Sequence, residues 1–451
     1  MITRCRITPS PALLVCAVAI CIIGHPSAQF AQTSSQQAAT LIERADAHAV
    51  AGQYADAIAG YREALRISPR NLNAEIGLAQ AFRGVHNFDA AKQTLEQAQR
   101  EHPKSAAPLA MLGDLDLELQ TYDAAVAHLA AALALDPGTV EARNHLAIAY
   151  KAKGSAGDQA SALAQTTKVV ARDPQNALAH FTRAQIYSDQ NRDSLALPEA
   201  EKAVDLQPQN ARARALLGKI LVRAPVGATP EEIKERCGRA VVALQPLQNG
   251  PSMDSEALIL LSNAYRCAGQ SEKAATTLEE FEKSSQNDRT RKENQLQAKH
   301  LVQQADELAI KNDFAGSLAV LQQAIAMDAT YPAAYSQLAK LYYSAGEIEK
   351  ASDAIAQALA RAPYHPEYLY VQGKILEKQG KLDEALAAFH QSALVNPKES
   401  DAYFEIGAIY QQRGDRARAR IAYQMAVEIS PDDPDYKRAL AALSSSPAVT
   451  P

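Results

Sequence analysis

The chain lacks tryptophan, and its aromatic residues amount to only 6% of the total. It also lacks a marked excess of charge, because 46 Lys and Arg stand against 51 Asp and Glu, a formal net charge of -5. A protein that binds nucleic acid presents a basic face, and this composition gives no sign of one. We therefore expect no nucleic-acid partner. The absent tryptophan and abundant alanine favour closely packed helices.

Short motifs that position catalytic or phosphate-binding groups are also missing. The sequence contains no G-x-G-x-x-G or G-x-x-x-x-G-K-[ST] loop, no His-Glu-x-x-His or Cys-x-x-Cys pair, and no Gly-x-Ser-x-Gly elbow. Its 10 histidines are scattered, and acidic clusters such as Glu279, Glu280 and Glu282 are expected to be solvated helix faces. We predict a protein that is not an enzyme and binds no metal or cofactor.

The longest apolar run lies near the N-terminus and is short. Arg4 and Arg6 precede an apolar stretch over residues 12–23, and small residues follow as far as Ala28. A membrane-spanning helix needs about 20 apolar residues, so an uncleaved anchor is disfavoured. The pattern is typical of a secretory signal peptide over residues 1–28. We expect cleavage after Ala28, no stable membrane span afterwards, and a periplasmic or secreted protein.

The cysteines follow from this interpretation. Cys5, Cys16 and Cys21 would leave with the signal peptide, and Ile20 before Cys21 argues against a lipoprotein, where a small residue is expected. Cys237 and Cys267 would be the two thiols of the mature chain. In an exported protein two thiols can pair.

The dominant positive feature is a proline that returns every 34 residues, with one three-residue delay and one longer interval. The prolines are Pro69, Pro103, Pro137, Pro174, Pro208, Pro363, Pro397 and Pro431. An alanine stands twelve residues before each of them, at Ala57, Ala91, Ala125, Ala162, Ala196, Ala351, Ala385 and Ala419. A fixed period of this length predicts stacked repeats and excludes a single globular core.

Each period reads as two helices. In the first, Gly52 is expected to end one helix because glycine adopts positive φ without cost, and Pro69 ends the next. Small residues late in the first helix are expected to face alanine early in the second. Bulky residues such as Tyr61 and Phe389 are expected to fill the space behind them.

The repeats form two arrays in the sequence. The predicted order is a polar linker at 29–37, about seven units at 38–283 with a degenerate sixth, a polar linker or helix extension at 284–297, four units plus a capping helix at 298–443, and a disordered tail at 444–451. Asp433 as N-cap and Pro434 at the first helical position mark the start of the capping helix.

Two C-terminal units carry the clearest family pattern. They are Tyr335, Leu338, Ala339, Tyr342, Gly346, Ala351, Ile355, Ala358 and Pro363, and Tyr403, Ile406, Gly407, Tyr410, Gly414, Ala419, Tyr423, Ala426 and Pro431. This pattern closely resembles the tetratricopeptide repeat, over about eleven units. The resemblance implies an all-α, right-handed superhelical solenoid whose first helices line a concave groove for partner proteins or peptides.

Carrying over the family's groove positions gives the candidate binding residues Lys340, Tyr343, Tyr370, Lys374, Phe404 and Gln411. Asp114, Lys151, Phe181 and Gln185 occupy equivalent places in the first array. The alternative is that these aromatic residues are half-exposed surface or inter-repeat packing. A clamp for a chaperone C-terminus is not expected, because Ile42, Asp46 and Gly77 stand at the places that would bind the carboxylate.

The repeat also makes a disulfide feasible. Cys237 lies early in the second helix of the sixth unit, and Cys267 near the end of the next first helix. These helices should pack antiparallel, which brings the two residues together. The alternative is two buried thiols on separate faces.

The resulting functional hypothesis is a non-catalytic scaffold of the cell envelope that binds partner proteins or peptides in its groove. Three alternatives stay open: an accessory scaffold for polysaccharide export or secretion, a periplasmic assembly factor that holds unfolded exported chains, and a non-catalytic subunit of an envelope enzyme.

Overall fold

The computed structural model describes residues 26–248 and 255–445, in which it contains α-helices, one short 3₁₀ turn at Gln245–Leu247 and no strand. The first half comprises α1 Pro26–Val50, α2 Tyr54–Ile67, α3 Leu72–Gly84, α4 Phe88–Glu101, α5 Ala107–Glu118, α6 Tyr122–Leu135, α7 Val140–Lys153, α8 Ala156–Arg172, α9 Ala177–Asp189, α10 Asp193–Leu206, α11 Ala211–Val222 and α12 Pro230–Leu244. The second half comprises α13 Ser255–Cys267, α14 Ser271–Ile310, α15 Phe314–Met327, α16 Pro332–Ser344, α17 Ile348–Arg361, α18 Pro366–Lys378, α19 Leu382–Val395, α20 Ser400–Gln412, α21 Arg416–Ile429 and α22 Pro434–Ser445.

Successive helices pair into hairpins that stack in chain order. The pairs α1–α2, α3–α4 and so on form units 1 to 6, and α13 pairs with the first part of α14 as unit 7. The last part of α14 pairs with α15 as unit 8, units 9 to 11 are α16–α17, α18–α19 and α20–α21, and α22 covers the end. The predicted all-α solenoid with a C-terminal capping helix is confirmed. Asp433 caps α22 by accepting hydrogen bonds from the backbone N–H of Asp435 and Tyr436.

The turns inside the hairpins depend on one residue at positive φ, and this residue is not always glycine. Gly52 has φ of 74°, as expected, but His86 and Gln120 occupy the same place with φ of 59°. Helix-ending hydrogen bonds hold these residues there, such as the one from Thr121 N–H to the Asp116 carbonyl at 2.8 Å. A search for glycine alone therefore misses several of the turns.

Contact between the two helices of a unit places a glycine against a bulky side chain. A Cβ atom added to Gly373 would lie 2.5 Å from Phe389 Cε1, and one added to Gly407 would lie 2.6 Å from Tyr423 Cδ1. The atoms nearest to these glycines therefore belong to a bulky residue of the second helix, a contact that the sequence-based expectation of a facing alanine does not include. The bulky residue occupies the space above the glycine itself.

Two predicted linkers are helical. Residues 29–37 lie within α1, so the prediction of a linker there is wrong; after Pro26 that helix contains no glycine or proline to end it. Residues 284–297 lie within the 40-residue helix α14, so the helix extension is the correct alternative. Residues 444–445 belong to α22. Most of the predicted signal peptide, residues 1–25, and residues 446–451 of the predicted tail lie outside the described residues.

Cys237 and Cys267 are joined by a disulfide. Their Cα atoms are 5.7 Å apart, within the range that a disulfide can bridge. Cys237 is fully buried on α12, and Cys267 ends α13. The bond therefore fastens the degenerate sixth unit to the seventh.

A long-range contact joins the two ends of the solenoid. The Tyr364 hydroxyl, in the turn after unit 9, donates a 2.6 Å hydrogen bond to the Gly52 carbonyl, and its ring lies 6.0 Å from that of Tyr54. One unit further along, Asn87 Nδ2 donates to the Leu394 carbonyl at 2.8 Å. Both contacts join an inner turn of one unit to the far end of the unit eight places later. We call this pair of contacts the interturn contact.

The interturn contact also buries apolar surface. Tyr364, Leu394 and Val395 pack against the hydrophobic core of units 1 and 2. Val85 and Asn87, which lie in a turn at the edge of the solenoid, are only 1% and 5% exposed. One superhelical turn therefore comprises about eight units, and the second turn rests edge-on against the first.

Across the described ranges, every helix is either too short or too polar to cross a lipid bilayer.

The disulfide predicts a redox-dependent stability. Loop closure over a separation of 30 residues should contribute about 3–4 kcal/mol, so dithiothreitol should lower the melting temperature of the wild type. Replacing both residues, Cys237→Ala with Cys267→Ala, should lower it similarly and abolish the effect of dithiothreitol. Circular dichroism and iodoacetamide labelling check this. Labelling of both thiols in the unfolded, unreduced protein would contradict it.

The interturn contact predicts a shape change on mutation. Tyr364→Ala combined with Asn87→Asp removes a packed ring and two hydrogen bonds, about 2–4 kcal/mol, while aspartate still caps α4. Small-angle X-ray scattering should show a larger radius of gyration. The matched control is Asn210→Asp, which changes the N-cap of α11 far from the contact. An unchanged radius with unchanged helicity would show that the ends do not touch.

Candidate protein-binding groove

The inner surface of the solenoid is formed by the first helices of the units. Successive first helices contact one another, as α5 does α7 and α16 does α18, whereas no two successive second helices in the described part of the chain make a contact of that extent. Closer spacing on one side of a curved array marks its concave side. The predicted groove residues of the second array all lie on first helices, α16, α18 and α20.

Three of these residues take part in a charged network that crosses unit boundaries. Lys374 Nζ lies 2.9 Å from Glu405 Oε1 on the next first helix and 2.9 Å from Glu377 Oε2 on its own. The Tyr370 hydroxyl lies 3.4 Å from the same Glu405 oxygen. Lys340 forms an ion pair with Glu367 on the neighbouring first helix. The network therefore fixes the spacing of units 9 to 11.

Burial and these partners shift the proton equilibria of the groove. Burial raises the pKa of Tyr370, and the Glu405 carboxylate adds to the shift. Burial opposes the charge on Lys374, but its hydrogen bonds to Glu405 and Glu377 outweigh burial and raise its pKa. Near neutral pH the groove therefore presents a neutral phenol beside a compensated ammonium group.

The other predicted residues are engaged in packing to different degrees. The Phe404 ring lies 5.5 Å from that of Tyr423 and 5.1 Å from that of Tyr436 on the capping helix. Gln411 is exposed, and its Oε1 accepts a 2.9 Å hydrogen bond from the Tyr423 hydroxyl. Tyr343 packs, half-buried, against the core of unit 9. Phe404 thus supports the end of the solenoid.

In the first array the structure brings one predicted residue into an ion pair. Asp114 on α5 pairs with His145 on α7, and the hydrogen bond that this carboxylate accepts from His145 raises the pKa of the imidazole against the opposing effect of burial. Lys151, Phe181 and Gln185 are half-buried on α7 and α9. The two arrays therefore use similar inter-unit polar pairs on the concave side.

Sequence reasoning missed an apolar cavity of about 580 Å³ between units 8 and 9. It is lined by Asp306, Ala309, Ile310, Phe314, Ser317, Leu321, Gln337, Lys340, Leu341 and Ser344. Phe314, the first residue of α15, is 42% exposed, and Ile310, the last residue of α14, is 81% exposed. Lys340 is the one predicted groove residue that reaches this cavity.

The arrangement offers contact surface. Aromatic and aliphatic side chains stand beside paired charges, a combination suited to holding an extended polypeptide. Among curated proteins, none matches the chain significantly.

Several solved structures are similar to the chain, with low sequence identity. The crystal structure of the APC/C hetero-tetramer Cut9–Hcn1 covers 90% of this chain and 96% of its own, at 14% identity and a TM-score of 0.31. YrrB, described as a tetratricopeptide-repeat protein with an unusual peptide-binding site, covers 38% of this chain and 88% of its own, at 25% identity and a TM-score of 0.33. A tetratricopeptide-repeat protein from Parabacteroides merdae ATCC 43184 covers 55% and 93%, at 15% identity and a TM-score of 0.41.

Family models give the direct assignment. Two models described as tetratricopeptide repeat match the chain, one at residues 110–177, 151–211 and 370–434, the other at 50–115 and 308–375. Together these segments span well over half of the sequence and coincide with the stacked hairpins of both arrays. The chain belongs to the tetratricopeptide-repeat proteins, which are protein–protein interaction scaffolds.

Proposed function

We propose that this protein is an exported scaffold of the cell envelope that holds extended segments of partner proteins on its concave side, in units 8 to 11. The observation that carries the proposal is the cavity lined by Lys340, at which Ile310 and Phe314 leave apolar surface exposed. A buried side chain of a partner could fill it. Neighbouring Tyr370 and Lys374 supply aromatic and polar surface on the same side.

The preferred partner chemistry follows from the pairing of charges. Lys340 and Lys374 are already paired with Glu367 and Glu405, so neither of these two predicted groove residues is free to bind a strongly acidic ligand. Binding energy would come from apolar anchors and from hydrogen bonds to the partner backbone. The proposal thus favours an extended segment with one large apolar side chain.

The predicted signal peptide at residues 1–28 supports the proposed location in the cell envelope. A basic start, a short apolar run and small residues up to Ala28 are the signature of export. The disulfide between Cys237 and Cys267 agrees with an oxidising compartment, where such bonds persist.

Export predicts a defined mature N-terminus. Full-length protein expressed in its source cell should appear in the periplasmic or secreted fraction with Gln29 as its first residue. Fractionation, intact mass and N-terminal sequencing check this. Ala28→Tyr should block cleavage and retain the precursor at the membrane, whereas uncleaved protein in the cytosolic fraction would refute export.

The groove predicts which substitutions release partners. In affinity capture from envelope extracts, Phe314→Ser should weaken binding of a groove partner by about 1–2 kcal/mol, roughly five- to thirtyfold in Kd, because an apolar anchor loses its contact. Tyr370→Ala should also weaken the binding of a groove partner. Quantitative mass spectrometry, followed by interferometry with each purified partner, measures the loss.

The matched control is Ile421→Ser on α21, a second helix. Ile421 is 62% exposed, so this change also removes exposed apolar surface, but away from the groove. Partners lost with Phe314→Ser and Tyr370→Ala but kept with Ile421→Ser support the proposal. If every partner is retained by both groove variants, the proposed site is wrong.

A further inference from the structure

Three side chains of metal-ligand type converge in unit 2, away from the groove cavity. Glu75 lies in the first turn of α3, Glu101 is the last residue of α4, and His102 follows it. One ligand atom from each lies within 4.8 Å of the other two. The solenoid brings them together because the start of the first helix and the end of the second meet at the same edge.

The facing atoms are buried and make no hydrogen bonds. This holds for Glu75 Oε2, Glu101 Oε2 and His102 Nε2. The Glu75 side chain is only 5% exposed, and its Oε2 lies 3.2 Å from His102 Nε2, an ion-pair distance without hydrogen-bond alignment. Arg70 Nε is 3.7 Å from Glu101 Oε2, too far for a hydrogen bond, and that arginine side chain is 81% exposed. Surface pairs of this kind contribute little.

Glu75 departs from the role that its position has in other units. Six residues after the repeat proline, Arg143 and Arg214 donate hydrogen bonds to the carbonyls of Pro137 and Pro208, at 2.7 and 2.5 Å. A His180 ring nitrogen lies 3.1 Å from the Pro174 carbonyl. A carboxylate cannot donate such a bond. In unit 2 an acceptor has therefore replaced a donor at a buried place.

His102 departs in the same way. The residue before the repeat proline is an aspartate in two other units, and its carboxylate accepts a backbone N–H two residues on: Gly138 to Asp136 at 2.9 Å, and Gln175 to Asp173 at 3.1 Å. In unit 2 this place holds an imidazole whose Nε2 faces Glu75 instead. Two departures that meet at one point indicate a shared ligand.

We propose that Glu75, Glu101 and His102 bind a single divalent transition-metal ion of the zinc type. With the imidazole neutral, as a metal ligand requires, the two carboxylates leave a net negative charge even after the exposed Arg70 is counted, and a divalent cation balances that charge. A mixed nitrogen and oxygen donor set selects zinc-like ions over Ca²⁺ and Mg²⁺, which take oxygen ligands.

The spacing agrees with tetrahedral coordination. Zinc lies about 2.0–2.2 Å from histidine nitrogen and carboxylate oxygen, so two such ligands are about 3.4 Å apart. Glu75 Oε2 and His102 Nε2 are already 3.2 Å apart. A small rotation of Glu101 would complete the three protein ligands, with water as the fourth. The ion would fasten the start of α3 to the end of α4.

The test is zinc binding by the full chain. The protein is first stripped of metal by chelation and dialysis. Isothermal titration with ZnCl₂ and metal analysis by mass spectrometry should then show that the wild type binds one tightly held zinc ion per chain that the Glu75→Gln variant does not bind. His102→Gln should likewise weaken this site at least tenfold. Zn²⁺ should raise the melting temperature of the wild type, because it binds only the folded state. MgCl₂ should have neither effect.

Controls separate this site from other ligands of the chain. His300→Ala removes an exposed histidine of α14 and should leave the stoichiometry and affinity unchanged. Glu101→Gln, at a helix end, provides a second ligand variant should Glu75→Gln fail to fold. Co²⁺ in place of zinc should give d–d absorption bands that are absent from the ligand variants. Equal zinc content and affinity in the wild type and a folded ligand variant would overturn the proposal.

Discussion

The structure depends on one steric constraint. A bulky side chain of the second helix in a unit packs directly against a glycine of the first helix, where no larger residue fits. At Gly373 even a single added carbon would lie 2.5 Å from the Phe389 ring. In the same way, a Cβ atom added to Gly218 would lie 2.5 Å from Leu244 Cγ, and one added to Gly407 would lie 2.6 Å from Tyr423 Cδ1. This contact sets the distance between the two helices of a unit. The next unit then covers the faces that remain, so no hairpin has a core of its own.

That constraint explains why the sequence predicts so much of the fold. In regular units such as 10 and 11, a small residue, a bulky residue sixteen positions later and a proline recur together, because each unit repeats the same contact; in the degenerate sixth unit the bulky Leu244 comes twenty-six positions after Gly218. Where the contact is kept, the period identifies the unit, and the helix pairs follow. Helix ends are harder to predict from the sequence, because Gln120 and His86 adopt the positive-φ turn conformation that glycine favours. Polarity alone was a poor guide too: the stretch at 284–297 contains nothing that breaks a helix.

Features that depend on the accumulated geometry of many units could not be predicted from the repeat pattern. The meeting of Tyr364 with Gly52 requires the small rotation between neighbouring units to accumulate over eight of them. The exposure of Phe314 depends on how α16 of unit 9 packs against α14 and α15 of unit 8, where the cavity lies. The cluster at Glu75 becomes apparent only when this residue and His102 are compared with the residues at the equivalent repeat positions of other units, whose contacts the structure supplies. Among the groove candidates, the position of Phe404 on a first helix was predictable, but its contact with the Tyr436 ring of the capping helix was not.

The interturn contact and the groove share the same hairpin, and this links shape to binding. In unit 10, Tyr370 and Lys374 lie on the concave side, while Leu394 near the end of α19 accepts the hydrogen bond from Asn87. A helix of 14 residues is about 21 Å long and moves as a rigid rod, so tilting this hairpin displaces both sites together. A partner that binds equally well to closed and open solenoids leaves the contact unchanged. One that needs a wider groove must supply the free energy of the interturn contact, and its affinity is lower by that amount.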